Sequence, residues 1–201
     1  MEMTMNQNQT YAIPMNDPFG KATTGKLGMW LFIIVDGLSF AGLLIAGAAL
    51  RAGGAGWPQA GEILSIPLTA FNTFLLICTS FTMVMALNTI QKGDQAGLKK
   101  FLGLTMAGGL GFLGIQIWEY YHFIMEGFVI STSVYASVFY VTTCFHGLHV
   151  TTGVIYIACI LWAAGQGRYS ADNWDRVEIL GLFWHFVDLV WILVFTVIYL
   201  I

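Results

Sequence analysis

The sequence predicts an all-α polytopic membrane protein, a bundle of five transmembrane helices. Two features of composition favour this fold class. Of the 201 residues, 57% are hydrophobic and only 9% are charged, whereas a soluble domain carries about 25% charged residues. The mean hydropathy is +0.73. The third observation is that the apolar residues fall into five runs of roughly 20–30 residues, each long enough to cross a hydrocarbon core of about 30 Å.

Polar and glycine-rich segments separate the runs and set the predicted helix bounds. A polar tail rich in Asn, Gln and Met covers 1–26, and we expect it on the cytoplasmic side. Glycine, proline and charged residues mark the loops that follow. Within the bundle at 27–201, the predicted helices are 27–50, 67–91, 98–124, 132–164 and 177–201.

The basic residues predict the orientation of the chain in the membrane. Apart from Arg51, all of them lie in the tail, at its junction with the first helix, or around the second and fourth loops: Lys21, Lys26, Lys92, Lys99, Lys100, Arg168 and Arg176. The positive-inside rule therefore places the N-terminus in the cytoplasm and, after five spans, the C-terminus outside. No basic cluster is larger than Lys99-Lys100, so nothing indicates a nucleic-acid partner.

Small residues four apart predict close helix contacts. They occur at Gly103, Ala107 and Gly111, and at the pairs 37/41 and 42/46 of the first helix. In lipid, this spacing lets two helix backbones approach closely. We expect these positions to form packing faces.

Several ionisable side chains lie inside the predicted spans, where such groups are costly. His185 and Asp188 are three apart in the last helix and so share one face, with Asp188 near the bilayer midplane. A His–Asp pair within the bundle is the simplest expectation for these two. Groups of this kind must face one another, a partner subunit or lipid headgroups. The remaining members of the set are Asp36 on the first helix, Glu119 and His122 on the third, and His146 and His149 on the fourth.

Four interpretations of these side chains compete on spacing alone. The histidines could ligate haem, although two on one helix cannot clasp it from both sides. They could hold a metal, although the Glu-x-x-His pattern of di-iron bundles occurs only once, as Glu119-Tyr-Tyr-His122. The carboxylates could line an ion or proton pathway in a small transporter, although broken helices and paired halves are not evident. Finally, the polar groups could build the hydrogen-bonded interior and a lipid-headgroup site of an accessory subunit.

Four segments of the sequence have the form of known family motifs. They are KLGMWLFIIVD at 26–36, EYY at 119–121, FHGLHV at 145–150 and WHFVDLVW at 184–191. With these motifs the chain resembles subunit III of the haem–copper terminal oxidases, which include cytochrome c oxidase and cytochrome o-type quinol oxidase, in its five-helix bacterial form. Larger members of that family have seven helices, so the first helix here corresponds to their third.

The resemblance implies a non-catalytic accessory subunit of a proton-pumping oxidase, which reduces oxygen to water in aerobic respiration. In the family, subunit III binds phospholipid and supports proton uptake, while haem and copper belong to partner subunits; whether this chain counts as an enzyme stays open. The expected partners are subunit I directly, subunit II in the same complex, a small subunit IV as a further candidate, and membrane lipids. The expected location is the bacterial plasma (inner) membrane, with the C-terminus periplasmic. A stand-alone transporter of protons or small solutes is the alternative.

The resemblance also implies roles for the buried polar residues. Asp36 takes the place of a buried, proton-related carboxylate that is more often Glu in the family, and its side chain is one methylene shorter. No catalytic residue, cofactor ligand or metal ligand is expected in this chain. The remaining six positions become structural or lipid-facing polar groups: Glu119, His122, His146, His149, His185 and Asp188.

Overall fold

The computed structural model describes residues 23–54, 57–58 and 64–200. The predicted all-α fold with five membrane-spanning helices is confirmed in this part of the chain. The predicted tail at 1–26 lies outside the described residues, except for 23–26, which open the first helix. The helices are α1 (Thr24–Ala52), α2 (Ile66–Gln91), α3 (Gln95–Met125), α4 (Val134–Gly165) and α5 (Asp175–Val194), and α5 continues as a π-helical segment, Phe195–Leu200.

Polar caps decide where α1 and α3 begin. The Thr23 hydroxyl accepts a hydrogen bond from the Lys26 backbone N–H at 3.4 Å. The Asp94 carboxylate accepts one from the Gly97 N–H at 2.9 Å. Such caps satisfy backbone donors that the first turn of a helix leaves free. Because these first turns are polar, the apolar pattern of the sequence does not reveal them. Both helices therefore begin earlier than the predicted positions 27 and 98.

Helix α5 lies in the middle of the bundle. It packs against α1, α2 and α4, while α3 packs against α2 and α4. Half of the most apolar window of α5 is buried inside the described chain, compared with 17% for α1. The segment at 184–191 therefore lies where the helices converge.

Trp184 joins four helices at this centre. Its side chain is 1% exposed, and its indole Nε1 donates a hydrogen bond to Thr79 Oγ1 of α2 at 3.0 Å. The ring lies against Gly109 of α3 and Gly153 of α4. A Cβ atom at these glycines would come within 2.7 and 2.8 Å of the indole ring. Both positions therefore need glycine because the indole occupies the space that a side chain would fill.

The spacing of small residues predicted such contacts only in part. Gly111 lies against Leu75, and Gly37 lies against Phe186, with distances of 3.3 and 3.6 Å from an added Cβ. At Gly103 and Gly42, no neighbouring atom of the described chain would lie within 4 Å of a Cβ. Those two predicted packing positions are wrong for contacts within this chain.

Helix α1 is the least enclosed element, and separate contacts hold it. At its start, Lys26 Nζ forms an ion pair with Glu178 Oε1 of α5 at 2.6 Å. Toward its other end it approaches α4 so closely that a Cβ at Gly47 would lie 2.8 Å from Val138 Cγ1. Only three of its residues are buried: Asp36, Phe40 and Gly47.

Candidate functional site

A carboxylate and an imidazole meet between α1 and α4 near the middle of the bundle. Asp36 Oδ2 lies 3.1 Å from His149 Nε2, and the two side chains are 11% and 14% exposed. This contact has the distance of an ion pair but not the geometry of a hydrogen bond. The Phe40 and Phe145 rings lie 5.2 and 4.7 Å from the imidazole. The pair is therefore enclosed by aromatic side chains at membrane depth.

The other nitrogen of His149 limits where protons can reside in this pair. His149 Nδ1 lies 2.7 Å from the Phe145 carbonyl oxygen. A carbonyl only accepts, so Nδ1 carries a hydrogen. In the neutral ring, Nε2 is then a lone pair, which an ionised carboxylate would repel. The contact at Nε2 is therefore attractive when the imidazole is protonated or when the carboxyl group is neutral.

His146, one turn earlier on α4, has different surroundings. It is 0% exposed, and its ring lies 4.8 Å from that of Trp191 and 5.8 Å from that of Phe112. Neither ring nitrogen has a hydrogen-bond partner in the described chain. His146 is an aromatic packing element, whereas His149 faces the carboxylate of α1.

The expected His185–Asp188 pair is wrong. His185 Nδ1 instead lies 2.7 Å from Ser80 Oγ on α2, and no hydrogen bond or ion pair links His185 to Asp188 among the described residues. Ser80 also lies within reach of the Asp188 carboxylate, whose Oδ1 is buried without a partner. Both side chains face α2, and the serine between them, rather than their spacing of three residues, decides the pairing.

We expect Ser80→Ala to lower the free energy of unfolding by about 0.5–2 kcal/mol, because the imidazole loses its interhelical hydrogen bond. Ser39→Ala is the matched control, since the exposed Ser39 hydroxyl bonds only to the Val35 carbonyl of its own helix. Unfolding in detergent, followed by circular dichroism, measures both. Fully additive effects of Ser80→Ala and His185→Phe would contradict the assigned contact.

Glu119 belongs to a second polar cluster, which lies near the C-terminal end of α3. It is 3% exposed, and its carboxylate accepts hydrogen bonds from Thr69 Oγ1 of α2 at 3.2 Å and from Gln116 Nε2 at 3.3 Å. The Gln116 Oε1 and Tyr199 hydroxyl atoms are buried nearby without hydrogen-bond partners in the described chain. The cluster therefore links α2 to α3 and lies beside the π-helical segment that carries Tyr199.

A small cavity of about 210 Å³ lies beside Glu119. The exposed side chains of His122 and Glu126 are also among its lining residues. The His122 and Trp118 ring centroids lie 4.0 Å apart with the rings tilted by 46°, and His122 Nδ1 lies 3.0 Å from the Trp118 carbonyl oxygen. His122 is exposed and contacts mainly its own helix, so the structure does not bring it into the interior with the other histidines.

Four residues of these clusters were not among the predicted site residues: Thr69, Ser80, Gln116 and Tyr199. Gln116 carried a signal, because it lies three positions before Glu119 in an apolar helix and so shares its face. Within the described ranges, no three His, Cys, Asp or Glu side chains converge as metal ligands would. The placement of haem and copper in partner subunits stays a prediction.

The family model and the similar proteins all indicate the same family. Residues 17–201 match the family model described as cytochrome c oxidase subunit III. Cytochrome c oxidase subunit 3 of Synechocystis sp. is 41% identical over 175 residues, which cover 86% of this chain and 74% of that protein. The corresponding subunit of Thermostichus vulcanus is 37% identical over 175 residues, 87% and 86% of the two chains.

A relative from a quinol oxidase matches equally well. Cytochrome bo(3) ubiquinol oxidase subunit 3 of Pseudomonas putida is 37% identical over 174 residues, covering 87% of this chain and 84% of that protein. The transporter alternative gains no support from these relatives, which are named as oxidase subunits. The match of the family model to almost the whole chain, together with the five-helix fold, shows that the chain belongs to the cytochrome c oxidase subunit III family.

Proposed function

We propose that this chain is a non-catalytic accessory subunit of a proton-pumping haem–copper terminal oxidase, packed against the subunit I that carries the haems and copper. The observation that carries this proposal is the family match over residues 17–201. Subunit II and a small subunit IV complete the proposed complex, which reduces oxygen to water. The electron donor binds to another chain, in keeping with relatives named from both cytochrome c and ubiquinol oxidases.

The uncovered side of α1 supports a partner in the membrane. Along this helix, large apolar side chains are exposed on the surface of the isolated chain. In a bilayer such a surface faces lipid or another membrane subunit, and a helix with little enclosure inside its own chain is suited to either. The largest exposed fractions are those of Leu31 (58%), Val35 (65%), Leu38 (69%) and Ile45 (68%).

An apolar cavity supports the proposed binding of phospholipid. It measures about 370 Å³ and lies between the end of α1, α4 and the π-helical segment. Leu44, Val138 and Ile198 are among its apolar walls, and Arg51 lies at its lining with the guanidinium 6.0 Å from the Trp57 ring. An acyl chain fits the apolar wall, and a phosphate suits the arginine.

The Asp36–His149 pair supports the proposed role in proton uptake, because it places a carboxyl group and an imidazole 3.1 Å apart at membrane depth. Asp36→Asn keeps the size of the side chain and its polarity, but the amide cannot ionise. We expect an assembled oxidase that loses activity several-fold faster during sustained turnover, from the loss of this proton site. Oxygen consumption over repeated turnovers measures the effect. Asp172→Asn, the same change at an exposed loop carboxylate, is the control; equal decay in both variants would show that Asp36 is only a packing residue.

The proposed location is the bacterial inner membrane, with the N-terminus cytoplasmic and the C-terminus periplasmic. The charge distribution supports this orientation. Lys26, at the start of α1, lies beside the start of α5, which puts the basic loop before α5 on the same side as the basic end of the tail.

Purification through an affinity tag on this chain tests the accessory role. We expect larger subunits and a haem spectrum to accompany the tagged chain in mild detergent. A colourless, monodisperse preparation of this chain alone would overturn the proposal and favour a stand-alone transporter.

A further inference from the structure

Helices α2 and α5 share an outward-facing strip that the rest of the described chain leaves open. Its large apolar side chains are exposed on both helices. Two partly exposed polar side chains, Ser80 and His185, lie one turn from these apolar residues and therefore on the same faces. The strip is called here the α2–α5 face, and it consists of Ile77, Ser80, Val84, His185, Leu189 and Ile192.

This face carries its polar groups at mid-membrane depth. His185 follows Asp175, the first residue of α5, by about ten residues, or about 15 Å along the helix axis. The apolar span continues from there to Leu200. In a hydrocarbon core of about 30 Å, lipid headgroups and bulk water lie too far away to bond to the imidazole. A polar atom that faces acyl chains at this depth lacks a hydrogen-bond partner, which is costly.

His185 uses only one of its ring nitrogens inside the described chain. Nδ1 lies 2.7 Å from Ser80 Oγ, whereas Nε2 forms no hydrogen bond with the described residues and is not among their fully enclosed polar atoms. Behind the ring, Ser80 also lies within reach of the Asp188 carboxylate, which is 7% exposed and whose Oδ1 lacks a partner in the same part of the chain. The imidazole is thus anchored through Nδ1, and Nε2 remains available at the α2–α5 face.

The hydrogen-bonding character of Nε2 depends on Ser80. The single hydroxyl hydrogen of Ser80 points either to the imidazole or to the Asp188 carboxylate. In the first case Nε2 carries a hydrogen and donates; in the second case Nδ1 carries it and Nε2 accepts. A hydroxyl or carboxamide side chain both donates and accepts, so it complements His185 in either state.

Other occupants fit this face less well. Acyl chains offer neither a donor nor an acceptor to Nε2. A second copy of this chain, with the same tautomer of His185, would bring two donors or two acceptors together. A helix of a different membrane subunit avoids both problems, since its side chain opposite His185 can supply the missing bond.

The α2–α5 face continues into the uncovered side of α1. Helix α1 packs along α5 at Gly37, where an added Cβ would lie 3.6 Å from the Phe186 ring. Val35 and Leu38, on either side of this contact in sequence, are exposed. Three helices therefore border one apolar surface with a polar point at its middle, which suits a membrane helix packed lengthwise.

We propose that the α2–α5 face docks a transmembrane helix of another subunit, which places a hydroxyl or carboxamide side chain against His185 Nε2. Ser80 and Asp188 position the imidazole for this contact. The proposal rests on the accessory role proposed above and goes beyond it by naming the docking surface and the chemistry of the partner side chain.

Photocrosslinking in native membranes tests which molecule covers this face. A photoreactive phenylalanine analogue replaces Leu189, which is 58% exposed and lies one turn from His185. We expect a covalent adduct with another membrane subunit, identified by mass spectrometry after purification through a tag on this chain. The matched control carries the analogue at Ile117, an exposed residue of α3, and should not form that adduct.

Retention of haem tests the polar contact itself. Complexes purified through the tag are washed with rising concentrations of detergent, and the haem bound per tagged chain is measured. At the highest concentration that the parent complex withstands, we expect His185→Phe to retain about three- to tenfold less haem, as for loss of one interhelical hydrogen bond. His185→Gln keeps a group that donates and accepts, so it should restore part of the retention.

Two further variants separate docking from stability of the chain. Ser80→Ala removes the bond behind the ring but keeps Nε2, so it should retain more haem than His185→Phe. His122→Phe replaces an exposed histidine that bonds to its own helix, and it should match the parent. Equal haem retention by His185→Phe and His122→Phe would overturn the contact at Nε2.

The crosslinked product decides the fate of the docking surface. Adducts of the Leu189 analogue with phospholipid alone, or with a second copy of this chain, would overturn the proposal. The haem spectrum separates this outcome from failure of the accessory role. A haem-bearing complex with only lipid adducts removes only the docking surface, whereas a haem-free preparation crosslinked to another membrane subunit keeps that surface and removes the oxidase assignment.

Discussion

Trp184→Ala is expected to lower the free energy of unfolding by about 3–5 kcal/mol, in the range found for removal of a large buried aromatic side chain. The indole fills the space between Gly109 and Gly153, so its loss leaves a void among four helices. Glycines on both sides offer no side chain that could collapse into the void. The substitution also leaves the Thr79 hydroxyl without the indole N–H. Detergent or thermal unfolding, followed by circular dichroism, measures the loss.

Trp118→Ala is the control for this experiment, because Trp118 is 53% exposed and lies on the outer surface of α3. We expect it to change stability far less. At the level of the complex, Trp184→Ala should also reduce the amount of haem-bearing oxidase recovered through a tag on this chain. Similar stabilities for the two alanine variants would contradict the central role of Trp184.

The second large effect is expected at the Asp36–His149 pair. Asp36→Ala and His149→Ala should each cost about 2–4 kcal/mol, because each leaves a polar partner uncompensated at membrane depth. The double variant should cost less than the sum by about 1–3 kcal/mol, which is the coupling expected of residues in direct contact. The same unfolding measurement on all four proteins gives this coupling energy.

His122→Ala separates the effect of the pair from that of any histidine in the chain. His122 is exposed and bonds to a carbonyl of its own helix, so we expect its replacement to change stability by less than about 0.5 kcal/mol. Additive costs for Asp36→Ala and His149→Ala would show that the two groups do not interact, and the assignment of an Asp36–His149 pair would then be wrong.

The helices themselves were predictable because the bilayer imposes a length and a composition on each one. Five apolar runs predicted five helices, and the structure differs mainly at ends where polar residues such as Thr23 and Asp94 cap a turn. Such a turn lies outside the apolar pattern, so hydropathy does not report it. The predicted bounds were therefore least informative where a side chain, rather than the membrane, sets the start of a helix.

The sequence predicted which ionisable side chains lie inside the membrane spans, but it did not predict the residues with which they pair. Spacing along one helix suggested His185 with Asp188, whereas the partner of His185 is Ser80 on α2. Likewise, Asp36 and His149 are far apart in sequence and meet only because α1 packs against α4. A single sequence records which groups need a partner, but the choice of partner depends on how the helices are arranged.

The glycines at close helix contacts were predicted poorly for the same reason, because such contacts depend on how the helices are arranged. Spacing of four residues highlighted Gly103 and Gly42, which contact no neighbouring element of the described chain, and passed over Gly109 and Gly153. Gly109 and Gly153 must be glycine because the Trp184 ring of α5 occupies the space next to them. The sequence pattern of α3 and α4 alone does not reveal that ring. Trp184 was visible as a motif residue, but its contacts were not.

The contact between α1 and α4 has a consequence for the order of events during synthesis. Asp36 enters the bilayer about a hundred residues before His149 leaves the ribosome. At typical elongation rates of 5–20 residues per second, this interval lasts on the order of ten seconds. Until then the carboxyl group is carried by a nascent helix that has few other anchors, and Lys26 also waits for Glu178. Closure of the bundle around α1 is therefore a late step of biogenesis, and an arrest of translation before α4 would leave this helix unattached in the membrane.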